Sequence, residues 1–511
     1  MTATDKKSVA IVGAGINGLV AANYLAKAGF VVTILERKDH AGGACTAATC
    51  VVDGKTYEYP QGASVFGFME DFVFNETGLA EQVKIHCPTH PEIVSAPQHN
   101  AEPAYIWSDT TKLAEELAQK WGEKGSVVDF LSDMEQVVAF LRQGYKDAVV
   151  PTLESATKAL GDEVVARWIT ENAKDLLDYY FTSDATKLFY SLSVIESGPV
   201  SFSSAYSAFS IPLMASGSVF GGQWGYVKGG IWQIPLTLDR INQELGVKRI
   251  FSAQVLSVSE NGTVRFEKDG VESSLHTDYV LFATDPVSAA KIADDKVVLD
   301  KLAHEELIGT SGKLILFFKK PAIWEDGRGF AEFESAFRYL VPPKNLADSE
   351  ERSNEVVTKR LDFTPGLFEI YCEGAADRML GGTRDYELVS VFFKNLAFAK
   401  RGMELPEVQE IVRNLVLSKL TNPQDCFHSI LETPKDLAEL FFFPKGNIDD
   451  VDLAEGQTFF QRTYSPEPTK NFYQFGANPR FFYCAAGAYP CGSVAGTPGY
   501  MCAKQLINST R

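Results

Sequence analysis

The chain lacks the patterns that would mark a metal, nucleic-acid-binding or membrane-spanning protein. Its eight cysteines are scattered, with no Cys-x-x-Cys pair, and its seven histidines include no His-Glu-x-x-His. No metal centre is therefore expected, and the cysteine usage reads as reduced and intracellular, with a cytoplasmic location expected. Lys and Arg number 48 against 66 Asp and Glu, a net charge of -18, and no basic run offsets it. That balance argues against nucleic acid as a partner and against a general attraction to anionic lipid. No apolar run approaches the ~20 residues of a spanning helix. The stretch from Met1 to Lys7 is short and polar, so no signal peptide is expected.

What is present suits a large globular protein. At 511 residues, 45% hydrophobic and 22% charged, the chain should hold two or more domains and bury a large core. Aromatic residues make up 12%, with 35 Phe, enough to line an apolar cavity or to fill the core. Two compact apolar stretches, Phe441-Phe442-Phe443-Pro444 and Ile211-Pro212-Leu213-Met214, are expected in the core. Peripheral contact with a membrane through them stays open.

The most informative stretch runs from Ser8 to Ala22. It reads as an apolar strand, a Gly13-x-Gly15-x-x-Gly18 turn and an Ala-rich helix start, followed by a second strand, Val31 to Leu35, ending at Glu36. Gly13 allows a tight bend, Gly15 lets the backbone approach a pyrophosphate, and Gly18 lets the helix pack on the strand. The helix start offers unpaired N–H groups to phosphate, and Glu36 falls where a carboxylate would accept a ribose hydroxyl. The turn alone does not separate NAD from FAD. A Gly42-Gly43 doublet just beyond could close a second backbone segment over the same phosphates. Near the other end, Phe481 to Tyr483, the glycine-rich loop to Gly496 and a helix from Thr497 repeat the strand-loop-helix order. That helix start could face the electron-rich edge of a reduced ring. No second strand-Gly-x-Gly-x-x-Gly-helix unit appears, which argues against a reductase fed by NAD(P)H.

On these residues the chain resembles the FAD-containing phytoene desaturase-like family (phytoene dehydrogenase and related proteins, with relatives of the pyridine nucleotide-disulphide oxidoreductase domain-containing protein two), within the amine-oxidase-type flavoprotein fold. Gly225-Tyr226-Val227-Lys228-Gly229-Gly230 resembles the family's Gly-Tyr-Pro-x-Gly-Gly segment, and Pro444 to Ile448 its Gly-Gly-Asn-Ile segment. The chain also departs from the pattern. Tyr489 and Cys491 stand where the family often has His and Gly, Asp449 and Asp450 follow Ile448, and Ala44 replaces a usual Arg.

The resemblance implies an α/β protein. A Rossmann-like FAD-binding domain would be assembled from residues 1–90, 220–290 and 470–511, with an interleaved α+β substrate domain from 91–219 and 291–469. By period, Thr111 to Trp121, Asp129 to Leu141, Ile234 to Leu245 and Glu407 to Leu420 read as helices. Arg249 to Val258, Thr263 to Glu267, Tyr279 to Ala283 and Lys313 to Phe318 read as strands, and the polar stretch Asp348 to Asn354 as a surface loop.

The resemblance also implies site residues. Gly13, Gly15, Asn17 and Gly18 would lie along the pyrophosphate and Glu36 on the ribose, with Gly42 and Gly43 behind them and Ile16 and Arg37 also contacting the cofactor. Gly62 and Ala63 would pass the isoalloxazine ring, Val255 the adenine, and Gly487 and Val494 the ribityl chain and pyrimidine edge. Tyr489 is a candidate proton donor, with a packed aromatic as its alternative. Cys491 is a candidate thiolate, with a space-filling side chain as its alternative. Trp224 and Tyr226 could line the cavity mouth. The expected activity is desaturation of a small apolar, polyene- or isoprenoid-like substrate by hydride transfer to a non-covalent FAD, with oxygen or a quinone as electron acceptor. A redox-neutral flavin isomerase, an amine oxidase and a non-catalytic lipid-binding protein of the same fold stay open. An apolar tunnel into residues 105–220 is expected to take the substrate.

Overall fold

The computed structural model describes residues 6–89, 91–196, 198–330, 332–457 and 459–510. Five parallel strands form one sheet, in the order Phe481–Tyr483, Tyr279–Phe282, Ser8–Val12, Val31–Leu35, Lys248–Ile250. Strands from the start, middle and end of the chain thus meet in one sheet. The central strand, Ser8–Val12, is apolar from Val9 onward and buried there, as a parallel strand covered on both faces should be. The helix Ile16–Lys27 follows it and packs against the C-terminal helix Thr497–Ser509. The two helices touch closely because Gly499 has no side chain: a Cβ there would collide with the backbone of Asn17. The rings of Tyr24 and Tyr500 then meet edge-on at 4.9 Å.

A second sheet has seven strands, in the order Cys426–Glu432, Gly312–Phe318, Glu387–Phe393, Phe368–Tyr371, Arg338–Leu340, Glu92–Ser95, Ala104–Ile106. It is antiparallel except where Arg338–Leu340 pairs with Glu92–Ser95. Gly312–Phe318 is buried along all seven residues, so its one charged side chain, Lys313, is held in the interior.

Two local expectations are corrected. Arg249 to Val258 is not one strand. Lys248–Ile250 joins the parallel sheet, while Ala253–Val258 pairs with Thr263–Lys268 in a separate three-stranded sheet. The break falls at Ser252, whose φ of +55° no strand can hold. Asp348 to Asn354 lies inside a helix, Leu346–Val357, rather than a loop. Asn345 caps it by accepting the N–H of Asp348 at 2.9 Å, and its buried Leu346 and Val356 anchor an otherwise solvated face.

The helical stretch between residues 105 and 220 is filled with rings. Phe130 packs on Trp168, Phe181 and Tyr190 at centroid distances of 4.7–5.1 Å. Much of the phenylalanine content there is core. Ile211, Pro212 and Leu213 are buried with it in the short helix Ser210–Met214. Among the described residues no helix is long and apolar enough to cross a membrane.

Candidate functional site

Four loops at the C-terminal ends of the parallel strands converge on one cavity of about 280 Å³, which is where open α/β sheets bind ligands. The three glycines of the first turn do different work. Gly13 has a φ of +107°, and a Cβ on it would approach the carbonyl oxygen of Ala283 to 2.6 Å. A Cβ on Gly18 would come within 2.5 Å of the Gly13 oxygen and 2.9 Å of the Ala283 Cβ. These two are demanded by packing. Gly15 is different: only the Gly43 Cα lies within 4 Å of a Cβ built there, at 3.9 Å, so its missing side chain keeps cavity space open. Gly15 is also the N-cap of the helix Ile16–Lys27 and gives no side-chain cap, leaving the first N–H groups for a ligand.

The walls of this end come from the loop after Val31–Leu35. Glu36 is buried and accepts the N–H groups of Ala14 at 2.8 Å and of Lys38 at 2.9 Å. The N–H of Gly42 donates to the Ala14 carbonyl at 3.0 Å, which lays Gly42 and Gly43 across the turn. Asn17 points a buried Oδ1 that has no hydrogen-bond partner among the described residues. An uncapped helix start, an open Gly15, a buried acid and an orphaned amide oxygen around one cavity fit a dinucleotide. Arg37 lines the same end, with its guanidinium against the ring of Phe442, and Lys38 lies 4.6 Å from the Phe441 ring centre. The Phe441 to Phe443 stretch is thus not core: Phe441 and Phe443 line the cavity and Phe442 is 45% exposed.

The hairpin Cys45–Val52 with Lys55–Gly62 brings Gly62 and Ala63 to the middle of the cavity. Here the ammonium of Lys313 donates to the carbonyls of Pro60 and Gly62, both at 2.8 Å. Two of its three N–H bonds are so used, and the residue lines the cavity. Burial pulls its pKa down, opposed by the nearby Glu373 and Glu432. Beyond it stand Val65, Trp224, Tyr371, Phe392 and Glu196. Glu196 accepts Lys394 at 3.1 Å, and Tyr371 donates to Glu369 at 2.8 Å. Burial and the neighbouring Glu196 raise the Glu369 carboxyl to about 8.

The C-terminal loop closes the remaining side with Ala485, Ala486, Gly492, Ser493, Val494 and Ala495. Val494 holds φ at +60°, an uncommon and strained conformation for a β-branched residue, and one that clusters at ligand clamps.

Of the residues singled out from sequence, Gly13, Gly15, Ile16, Asn17, Glu36, Arg37, Gly42, Gly43, Gly62, Ala63, Trp224 and Val494 line this cavity. Gly18, Val255, Tyr226, Gly487, Tyr489 and Cys491 do not. Val255 is buried opposite Phe266 in its own sheet. The Tyr226 hydroxyl accepts the N–H of Cys372, and its ring stacks on Phe337. Tyr489 is enclosed, 6.0 Å from the Tyr145 ring and 6.1 Å from that of Phe472, and burial raises its pKa. Cys491 is fully buried, and burial with the nearby Asp449 drives its thiol pKa up, away from thiolate. The tunnel expected in residues 105–220 is also corrected: among the described residues of that stretch, Glu196 alone lines the cavity. The cavity turns instead toward Lys313, Tyr371 and Phe392 of the seven-stranded sheet, because aromatic packing fills the helical stretch. Lys313, Glu196 and Asp450 were missed from sequence. The available signal was a lone Lys at the head of an unbroken apolar strand.

Comparison with known proteins agrees with this geometry. A family profile described as an NAD(P)-binding Rossmann-like domain matches residues 11–71. A phytoene desaturase of Fusarium fujikuroi is 25% identical over 274 residues, covering 50% of this chain and 44% of that protein. The chain therefore matches less than half the length of that relative. An L-amino-acid oxidase of Sistrurus catenatus edwardsii is 26% identical over 351 residues, covering 64% of this chain and 60% of that protein. A putrescine oxidase variant superposes with a TM-score of 0.61 at 14% identity, over 99% of this chain and 98% of the other. The chain shares its fold with this putrescine oxidase and with a cyclohexylamine oxidase of Brevibacterium oxydans, which superposes with a TM-score of 0.60 at 13% identity over 99% of this chain and 98% of that one.

Proposed function

We propose that the protein is an FAD-dependent oxidoreductase that dehydrogenates a largely apolar, polyene- or isoprenoid-like substrate. One observation carries the reading: a single cavity joins the dinucleotide end, Gly13 to Glu36, to a wall of Val65, Trp224, Phe392, Leu437, Phe441 and Phe443. Burying a hydrocarbon against such a wall contributes ~0.8 kcal/mol per CH₂. FAD, when bound, would supply the hydride acceptor. Gly13, Gly15, Asn17, Glu36, Gly42 and Gly43 would hold its adenosine diphosphate half without a covalent link, and Gly62, Ala63 and Val494 would border its ring. Trp224, Phe392 and Leu437 would exclude water and orient the reacting carbon. Lys313, poised by two carbonyls, keeps one N–H free to donate to a water or a substrate atom at that place.

Oxygen or a quinone would take the electrons. Contact with a membrane surface, if made, would involve the exposed Phe442 beside the cavity. A second reading, amine oxidation, is favoured by the carboxyl of Glu196 at the inner end, which could accept an ammonium group. The deciding experiment has two parts. Heat-released cofactor should chromatograph as FAD. Incubation with a C40 polyene should give a product lighter by two hydrogens. Unchanged mass with a shifted double bond would replace dehydrogenation by isomerisation, and peroxide with ammonia from amines would replace it by amine oxidation.

A further inference from the structure

Asp450 belongs to the turn after Ile448, far in sequence from both glycine-rich loops, yet it lines the cavity while 2% exposed. Its φ is +69°, a conformation that the surroundings must enforce on a non-glycine residue. Enforcement comes from Arg462, which is fully buried and donates to the carbonyls of Asp449, Val451, Gln457 and Ala486. Arg462 therefore ties the Asp450 turn to the C-terminal loop. The carboxyl is fixed as well: Oδ2 accepts the Gly487 N–H at 2.9 Å and the Tyr483 hydroxyl at 3.2 Å. Both bonds fall on one oxygen, which leaves Oδ1 for the cavity. The amide of Gly487, expected against the ribityl chain, is spent on Asp450.

Position along the sheet edge says which part of a ligand Oδ1 meets. Glu36 ends one strand, Gly13 the next, Ala283 to Asp285 follow a third, and Cys484 to Gly487 follow the fourth. Neighbouring strands are ~4.8 Å apart, so Asp450 sits about 10 Å along the edge from the glycine turn. That is beyond a diphosphate held at Gly13 and Gly15, and before a ring at Gly62 and Ala63. The segment of the cofactor reaching that place is the hydroxyl-bearing polyol chain.

Resting on the FAD reading, we propose that Asp450 is a cofactor-holding residue whose Oδ1 hydrogen-bonds a hydroxyl of the ribityl chain. The charged and titratable groups around it come from every neighbouring element. They are Asp285 at the start of the helix Pro286–Ile292, Arg462 and Tyr464, Tyr483 on its strand, and Glu36 and Arg37 across the cavity. Burial and Asp285 outweigh Arg462 and raise the Asp450 carboxyl to about 8. At neutral pH it is then a neutral acid and can serve as donor. Above its pKa it becomes an anion facing an anionic diphosphate, so cofactor retention weakens as pH rises.

The test measures flavin release from the holoenzyme, followed by recovery of flavin fluorescence, between about pH 6 and pH 9.5. Wild type should release flavin roughly tenfold faster at the alkaline end, a loss of about one hydrogen bond. Asp450→Asn keeps shape and a donor, and should hold flavin as wild type does at pH 6 with a flat profile. Asp450→Ala should release about tenfold faster throughout. If Asp450→Ala fails to fold, as judged by its melting transition, the Asp450→Asn profile decides alone. Identical pH profiles for wild type and Asp450→Asn overturn the proposal, as does wild-type retention by a folded Asp450→Ala. Absence of flavin from every preparation overturns the FAD reading instead.

Discussion

The carboxylate of Glu36 accepts the N–H of Ala14 at 2.8 Å, tying the end of the second parallel strand to the middle of the glycine turn. The residue is 8% exposed, and its other oxygen takes the Lys38 N–H. Glu36→Ala removes both bonds and leaves one buried and one half-buried amide unpaired, at ~1–3 kcal/mol. The variant should melt lower and purify with most of its flavin lost. Melting temperature and flavin-to-protein absorbance ratio measure the two effects, and full occupancy would place the ribose elsewhere.

Gly15 and Gly18 should respond differently to substitution. A side chain at Gly15 enters open cavity, so Gly15→Val should fold with near wild-type stability and carry no flavin. Gly18→Ala, by contrast, forces its Cβ onto the Gly13 oxygen and should cost ~1–3 kcal/mol of stability. Urea unfolding with flavin analysis separates them. A Gly15→Val protein that keeps flavin would move the phosphates away from this turn.

The glycine-turn end of the cavity was legible because its determinants are local. The turn from Gly13 to Gly18, the acid at Glu36 and the Gly42-Gly43 doublet lie within 31 residues of sequence, and their geometry follows from glycine conformations and strand-helix order. The other end was not legible. Lys313, Glu196, Tyr371 and Asp450 arrive from four distant segments, and only the pairing of strands across the chain brings them together. Periodicity found the apolar strand around Lys313 but could not say what its head would face. Tyr489 and Cys491 were misleading for the converse reason. A loop rich in glycine shows that backbone comes close to something, and not which of its side chains turn inward to pack.

Arg462 should be the keystone of the C-terminal loop. Four carbonyls from three segments converge on its guanidinium. Arg462→Met keeps bulk and removes every donor, so a loss of roughly 3 kcal/mol or more is expected from several unpaired buried carbonyls. The loop carrying Val494 should loosen first, so proteolysis should open in residues 484–496 while the parallel sheet stays protected. Uniform protection would mean that the loop is held by its own packing.

Lys313 gives a prediction with a sign in pH. Its ammonium is buried among Glu373, Glu432 and the carbonyls of Pro60 and Gly62. Burial raises the pKa of both carboxyls, and Lys313 is the main charge opposing this in each, with Arg384 adding to it at Glu373. Lys313→Met leaves Glu432 without its cation and Glu373 with only Arg384 nearby, at roughly 3–5 kcal/mol where they are ionised. With the cation gone, their folded pKa values rise further above the unfolded values. A raised carboxyl costs stability as pH climbs from its unfolded pKa through its folded one, and costs nothing once protonated in both states. The penalty of Lys313→Met should therefore be large near pH 8 and shrink toward pH 5. Urea denaturation of wild type and variant at the two pH values measures the difference directly. An equal penalty at both would mean that the two carbonyls, not the two acids, are what Lys313 stabilises.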